Sequence, residues 1–187
     1  TIMKTLLVKR LDSSFYAFRQ SLERYYDNNR AMMQMLENGQ VYIAPKLNVS
    51  EMILQGNEEE LQDLIMDPDS EEDIQSFSSE EFKDEFAKGI KEDHEILESL
   101  LDSWNKVDYD PKLDTLIEKL ETEFFDEDKN DNGKLVIFSE SKETTNYLDR
   151  ELKERGYDRV LTVSSDNQRD LADTIAKNFD ASIAPTK

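Results

Sequence analysis

The chain has no cysteine and a single histidine, His94, among 187 residues. The first absence removes disulfide frameworks, cysteine-ligated zinc and thiol nucleophiles. The second leaves no histidine cluster for a metal site or a proton relay. Glycine occurs five times and proline four. Neither a GxxxxGK[ST] nor a GxGxxG pattern is present, so the usual loops that cradle nucleotide phosphates are missing. No apolar run reaches the roughly 20 residues that cross a bilayer, and no secretory signal pattern occurs. A soluble, cytoplasmic chain without membrane contact is the expectation.

What the chain has in excess is acid. Its formal net charge is −20, and charged residues make up 35% of it, against roughly 25% in ordinary domains. A free-standing, generally basic nucleic-acid binder is excluded. The acidity is local: residues 1–48 carry a net +3, residues 49–133 a net −22, and residues 134–187 a net −1. The two ends can therefore still meet an anion. With 37% apolar residues, the chain can bury a core without staples, as one domain or as a small domain with a helical appendage. It opens Thr1-Ile2-Met3, which reads either as two tag residues before a start or as a piece cut from a longer protein.

Periodicity predicts mostly helix. Phe15, Phe18, Leu22, Tyr25, Met32 and Leu36 share one face of a helix over 13–38, with Asp12 or Ser13 as its cap and Asn38-Gly39 as its stop. Residues 2–11 form an apolar run, helix or strand, ending in Lys9-Arg10, and 41–44 is a short extended piece. Short helices are expected at 49–54 and 58–66, a mobile acidic loop at 67–73, and a long helix over 79–107. That helix carries the stripe Phe82, Phe86, Ile90, Ile96, Leu97, Leu100, Leu101 and Trp104, read as core. His94, in a polar stretch of it, is read as structural or solvated. Asp110-Pro111 opens a further helix, with the carboxylate as cap and proline in the first turn.

The last third alternates strand and helix patterns. Lys134-Leu135-Val136-Ile137-Phe138 and Arg159-Val160-Leu161-Thr162-Val163 read as strands buried on both faces. Helices follow at 142–155, stopped by Gly156, and from Ser164-Ser165-Asp166 onward. This predicts a small, truncated parallel β-α-β-α unit, incomplete because a third strand should follow near Ile183-Ala184. The fold class is α/β with a large helical part.

Two loops stand out. Ser139-Glu140-Ser141-Lys142 and Ser164-Ser165-Asp166-Asn167 each follow a predicted strand and precede a helix. Free N–H groups and hydroxyls there can hold an anion, and ligands gather at the carboxyl ends of parallel strands. Ordinary helix capping accounts for the same residues, and both readings stand. The segment 126–133 has an acidic, calcium-loop-like composition, but counted from Asp128 the twelfth position is Ser139 in place of the bidentate Glu. It reads as a solvated turn.

Asp110-Pro111-Lys112-Leu113-Asp114, then KLVIFSESKETTNYL over 134–148, resemble superfamily 2 helicases. More narrowly, they are similar to the Swi/Snf-related bacterial type: a DPKLD helix leading into the second RecA-like domain, then motif IV. Residues 6–14 resemble the segment between the two motor domains, and VLTVSSDNQRDL over 160–171 the approach to motif V. The resemblance implies three regions: an interdomain helical segment at 1–48, an acidic helical insertion at 49–108, and a partial second RecA-like domain at 109–187. It places Walker A and the acidic motif of the first motor domain before this chain, and motif V and the arginine-finger motif after it. It implies a parent enzyme that binds ATP and Mg²⁺, hydrolyses ATP and moves on nucleic acid, DNA ahead of RNA, while this fragment alone holds no cofactor and catalyses nothing. Ser139, Glu140, Ser141 and Lys142 would line the nucleic-acid track, with Ser164, Ser165 and Asn167 beside it. Two other classes remain open. One is an acidic helical module, without enzymatic activity, that docks a protein partner on the insertion. The other is a small phosphate-handling enzyme, for which only Glu140 and Asp166 offer carboxylates at the strand ends.

Overall fold

A computed structural model of the chain describes residues 2–67 and 70–180. These are mostly helical and include one two-stranded antiparallel sheet. None of their helices is long and apolar enough to cross a membrane. The chain divides into two compact units, residues 18–109 and residues 1–17 with 110–187.

The 18–109 unit holds the main apolar core. Helix α2 (Phe15–Asn38) ends where Gly39, at φ +89°, turns the chain into β1 (Gln40–Ile43). Only glycine enters that backbone region without strain. Helices α3 (Val49–Leu54) and α4 (Glu58–Met66) follow. Asn48 caps α3 by accepting the N–H of Glu51 at 3.3 Å. Three glutamates, Glu58, Glu59 and Glu60, occupy the first turn of α4, where the helix dipole favours them. Ala31, Met35, Val41, Tyr42, Val49, Ile53 and Leu61 bury one another, with Phe82 and Ile74 packed at the edge. Beyond α4, residues 70–73 lie outside regular elements; Pro68 and Asp69 of the predicted acidic loop lie outside the described residues.

Strand β2 (Gln75–Ser78) pairs antiparallel with β1, setting Val41 opposite Phe77 and Tyr42 opposite Ser76. The extended piece expected at 41–44 thus finds its partner in a segment with no strand signal of its own. Ser78 and Glu81 form a reciprocal capping box, and α5 (Asp84–Trp104) begins five residues later than the stripe predicts, after Phe82 in extended conformation. Helices α2 and α5 run antiparallel. Phe18 meets Trp104 edge-on at 4.6 Å, and Tyr26 stacks on His94 at 4.7 Å. His94 Nδ1 is buried and has no hydrogen-bond partner among the described residues.

In the other unit, residues 2–11 are helical, within α1 (Ile2–Ser13). The helix expected over 13–38 is α2, starting two residues later at Phe15, with Ser14 between it and α1. The Ser14 hydroxyl accepts the N–H of Ala17 at 3.0 Å, so Ser14 caps α2 in place of Asp12 or Ser13. Helix α6 (Pro111–Lys119) starts as expected: Asp110 accepts the N–H groups of Lys112 and Leu113, each at 3.1 Å. It widens into a π turn over Leu120–Phe124. The turn after it is held by Asn130, whose amide donates to the carbonyls of Phe124 (2.8 Å) and Lys134 (3.0 Å). Helix α7 (Lys142–Glu154) is capped by Ser141 and ended at Gly156, φ +86°. Helix α8 (Ala172–Phe179) begins later than the Ser164-Ser165-Asp166 signal, after a run of turns.

The strand reading of this third requires correction. Residues 134–138 and 159–163 form no strand, and no parallel pair exists among the described residues. Val136, Ile137 and Phe138 stand 55%, 44% and 93% exposed. β-Branched and aromatic composition favours strand locally, but a strand is completed only when a neighbour takes up its N–H and C=O groups. No described strand pairs with either segment here. The third-strand position after Ile183-Ala184 lies outside the described residues.

Candidate functional site

Within the unit of residues 1–17 and 110–187, the end of α1, the start of α6, residues 137–140 and the start of α7 surround a groove of about 500 Å³. Leu113, Leu116, Ile137, Phe138 and Leu148 give it an apolar lining, and Lys9, Lys112, Asp12, Asp110 and Glu140 bring charge of both signs. The Lys112 ammonium donates to the Asp12 carbonyl. This closes the C-terminal end of α1, where cations are favoured.

Beside the groove lies a knot of hydroxyls. Thr144 Oγ1 sits 2.7 Å from Ser13 Oγ and 2.8 Å from Ser14 Oγ. Ser141 Oγ accepts from Arg10 at 2.9 Å and from the Thr144 N–H at 3.3 Å, and donates to Glu143 at 2.9 Å. Arg10 also pairs with Glu143 at 2.9 Å. Ser14, Ser141 and Thr144 are buried, so each needs these partners. A hydroxyl already serving two donors and one acceptor is a fixed strut; Ser141 is not poised as a nucleophile.

One turn along α7, the Tyr147 hydroxyl donates to Asp110 Oδ2 at 3.1 Å. Its ring stacks on Tyr16 at 4.9 Å with planes 3° apart, and the Arg150 guanidinium lies 5.2 Å and 5.5 Å from the two rings. Burial, followed by the negative charge of Asp110, pushes the Tyr147 phenol well above its ordinary value. The contribution to stability is complete below pH 10.0, the ordinary tyrosine value, and is lost as pH rises beyond it, because the unfolded chain ionises first. Ultraviolet titration is expected to show one of the seven tyrosines ionising after the rest. Tyr147→Phe should abolish that late step, and an unchanged titration would refute the assignment.

The seven predicted track residues divide. Ser139, Glu140, Lys142 and Ser165 are exposed. Ser141 is buried as the α7 cap. Asn167 staples its own loop, accepting from the Ser164 N–H at 2.8 Å and donating to the Thr162 carbonyl at 3.0 Å, while Ser164 Oγ accepts the Asp166 N–H at 3.3 Å. Lys142 pairs with Asp166, which joins the two loops. The Lys142 hydrogen bond, then that of Ser165, holds the Asp166 carboxyl below its usual range. Asp149 on α7 accepts from Thr162 at 2.6 Å and from Lys153 at 2.8 Å. Burial works against its charge, yet these bonds hold its carboxyl below the usual range.

No protein-family model matches this chain, and neither a curated protein nor a solved structure matches it. The residues that sequence reasoning missed are Arg10, Ser13, Ser14 and Thr144. The Ser13-Ser14 pair carried a capping signal. The partners on α7 are more than 125 positions away, as in the 131-residue separation of Arg10 and Ser141, and no periodicity reaches that far. Among the described residues, no three His, Asp or Glu side chains converge as a metal site would need.

Proposed function

We propose that the chain is part of an ATP-dependent nucleic-acid translocase of the superfamily 2 kind, contributing a stretch of the nucleic-acid track and not turning over ATP alone. The observation that carries this reading is the Lys142–Asp166 pair. It sets the loop 139–142 beside the loop 164–167 on one exposed rim, the two segments that the resemblance assigns to the track.

In this reading Ser139, Lys142 and Ser165 meet phosphates, which position the strand without reading its sequence. The parent polypeptide supplies a Walker A loop that holds ATP and Mg²⁺, and an arginine-finger motif. DNA is placed ahead of RNA. The Asp166 carboxylate competes with phosphate for Lys142, and the net charge of −20 works against any anion, so binding is weak and best read at low salt.

The test is fluorescence anisotropy with labelled single-stranded DNA. Asp166→Asn is expected to tighten binding about threefold or more by freeing Lys142, and Lys142→Ala to weaken it by a similar factor with a shallower salt dependence. If neither variant changes affinity, the rim is not a track.

A further inference from the structure

The outer face of α5 is built differently from its inner one. Inward, His94 and Trp104 meet Tyr26 and Phe18 of α2. Outward, Ile96 and Leu100, one helical turn apart, stand 58% and 45% exposed. They line a shallow groove with Glu92, Glu95 and Ser99. From Glu92 to Trp104 the helix carries five carboxylates and neither Lys nor Arg, with Glu92 paired to Lys88 at 3.6 Å at the near end. Large apolar side chains within a ring of one charge sign fit a partner of the opposite sign better than they fit water.

We propose that this face docks a basic amphipathic helix of a partner protein. Two aliphatic side chains of the partner, spaced three or four positions apart, would pack over Ile96 and Leu100, as in the general helix-in-groove mode. Its lysines or arginines would meet Glu95 and share Glu92 with Lys88. Charge selects this occupant. A second copy of the chain would set carboxylates against carboxylates, and nucleic acid would be repelled. The inference concerns the 18–109 unit and does not depend on the helicase reading, whose test residues, Lys142 and Asp166, lie in the other unit.

The probe is a labelled leucine–lysine peptide of about 18 residues, long enough to form an amphipathic helix, titrated with the full chain. Its controls are a scrambled isomer of the same composition and a version with glutamate for lysine. The amphipathic peptide is expected to bind about tenfold or more tighter than the scrambled one, and the glutamate version not at all. Ile96→Ser with Leu100→Ser should weaken it about tenfold, and so should Glu92→Lys with Glu95→Lys. Circular dichroism and Trp104 fluorescence establish that the variants fold. If the serine pair unfolds, the lysine pair, at exposed positions, decides. Equal binding of the scrambled peptide, or full binding by a folded variant, overturns the proposal. So does a dimer seen by sedimentation that the serine pair dissolves, because the occupant is then a second copy.

Discussion

Leu61→Ala is expected to cost the 18–109 unit about 2–5 kcal/mol, as burial loss and cavity formation add. Leu61 has 0% exposure and packs among Met35, Val41, Tyr42, Val49 and Ile53. It is where α4 closes over the β1–β2 ribbon and α2. Two strands alone are marginal in water, so removing this side chain loosens the ribbon as well as α4. For a unit of this size the loss corresponds to a fall in melting temperature of roughly 10 °C or more. The only tryptophan, Trp104, belongs to this unit and reports its unfolding by fluorescence. Leu61→Met preserves volume and should cost less than about 1.5 kcal/mol. An alanine variant that melts with wild type would show that the core lies elsewhere.

Thr144→Val is the second large effect. It conserves shape and β-branching while deleting the one hydroxyl shared by Ser13 and Ser14. Leaving buried polar partners unpaired costs about 1–3 kcal/mol. Faster hydrogen exchange at the α7 amides is the expected readout. Ser14→Ala costs stability on its own, because it also removes the cap on the Ala17 N–H, but the double variant should lose less than the two singles together, since the Ser14–Thr144 bond can be lost only once. A double variant as unstable as the sum of the two singles would mean that the hydroxyls do not interact.

The helices were legible because their signals are local. The apolar spacing of α2 and α5, the Asp110-Pro111 start of α6 and the Ser141 and Gly156 ends of α7 each lie within a few residues of what they control. The join before α2 was legible to within two residues, from the polar Asp12-Ser13-Ser14 run; which of the three caps was decided only by the Ser14 hydroxyl bond to Ala17. Strand β2 was hidden. Gln75–Ser78 has one apolar residue, Phe77, and becomes a strand because Gln40–Ile43 offers a ladder. The reverse holds at 134–138, where composition argues for a strand and no described neighbour completes it.

The candidate site follows the same division. Ser139, Glu140, Lys142 and Ser165 were singled out from sequence as loop residues and are exposed in the structure, and the capping role of Ser141 was one of the two readings left open for it. By itself the sequence determined where helices begin and end, where the acid is concentrated, and that cysteine and histidine-cluster chemistry are excluded, all properties of residue type and short spacing. Tertiary structure alone decided that Arg10 meets Ser141 and Glu143, that Thr144 closes on Ser13 and Ser14, that His94 stacks on Tyr26, and that Ile96 and Leu100 face outward. Each depends on which distant surfaces meet, and that is set by the summed burial of many side chains, which no local pattern encodes.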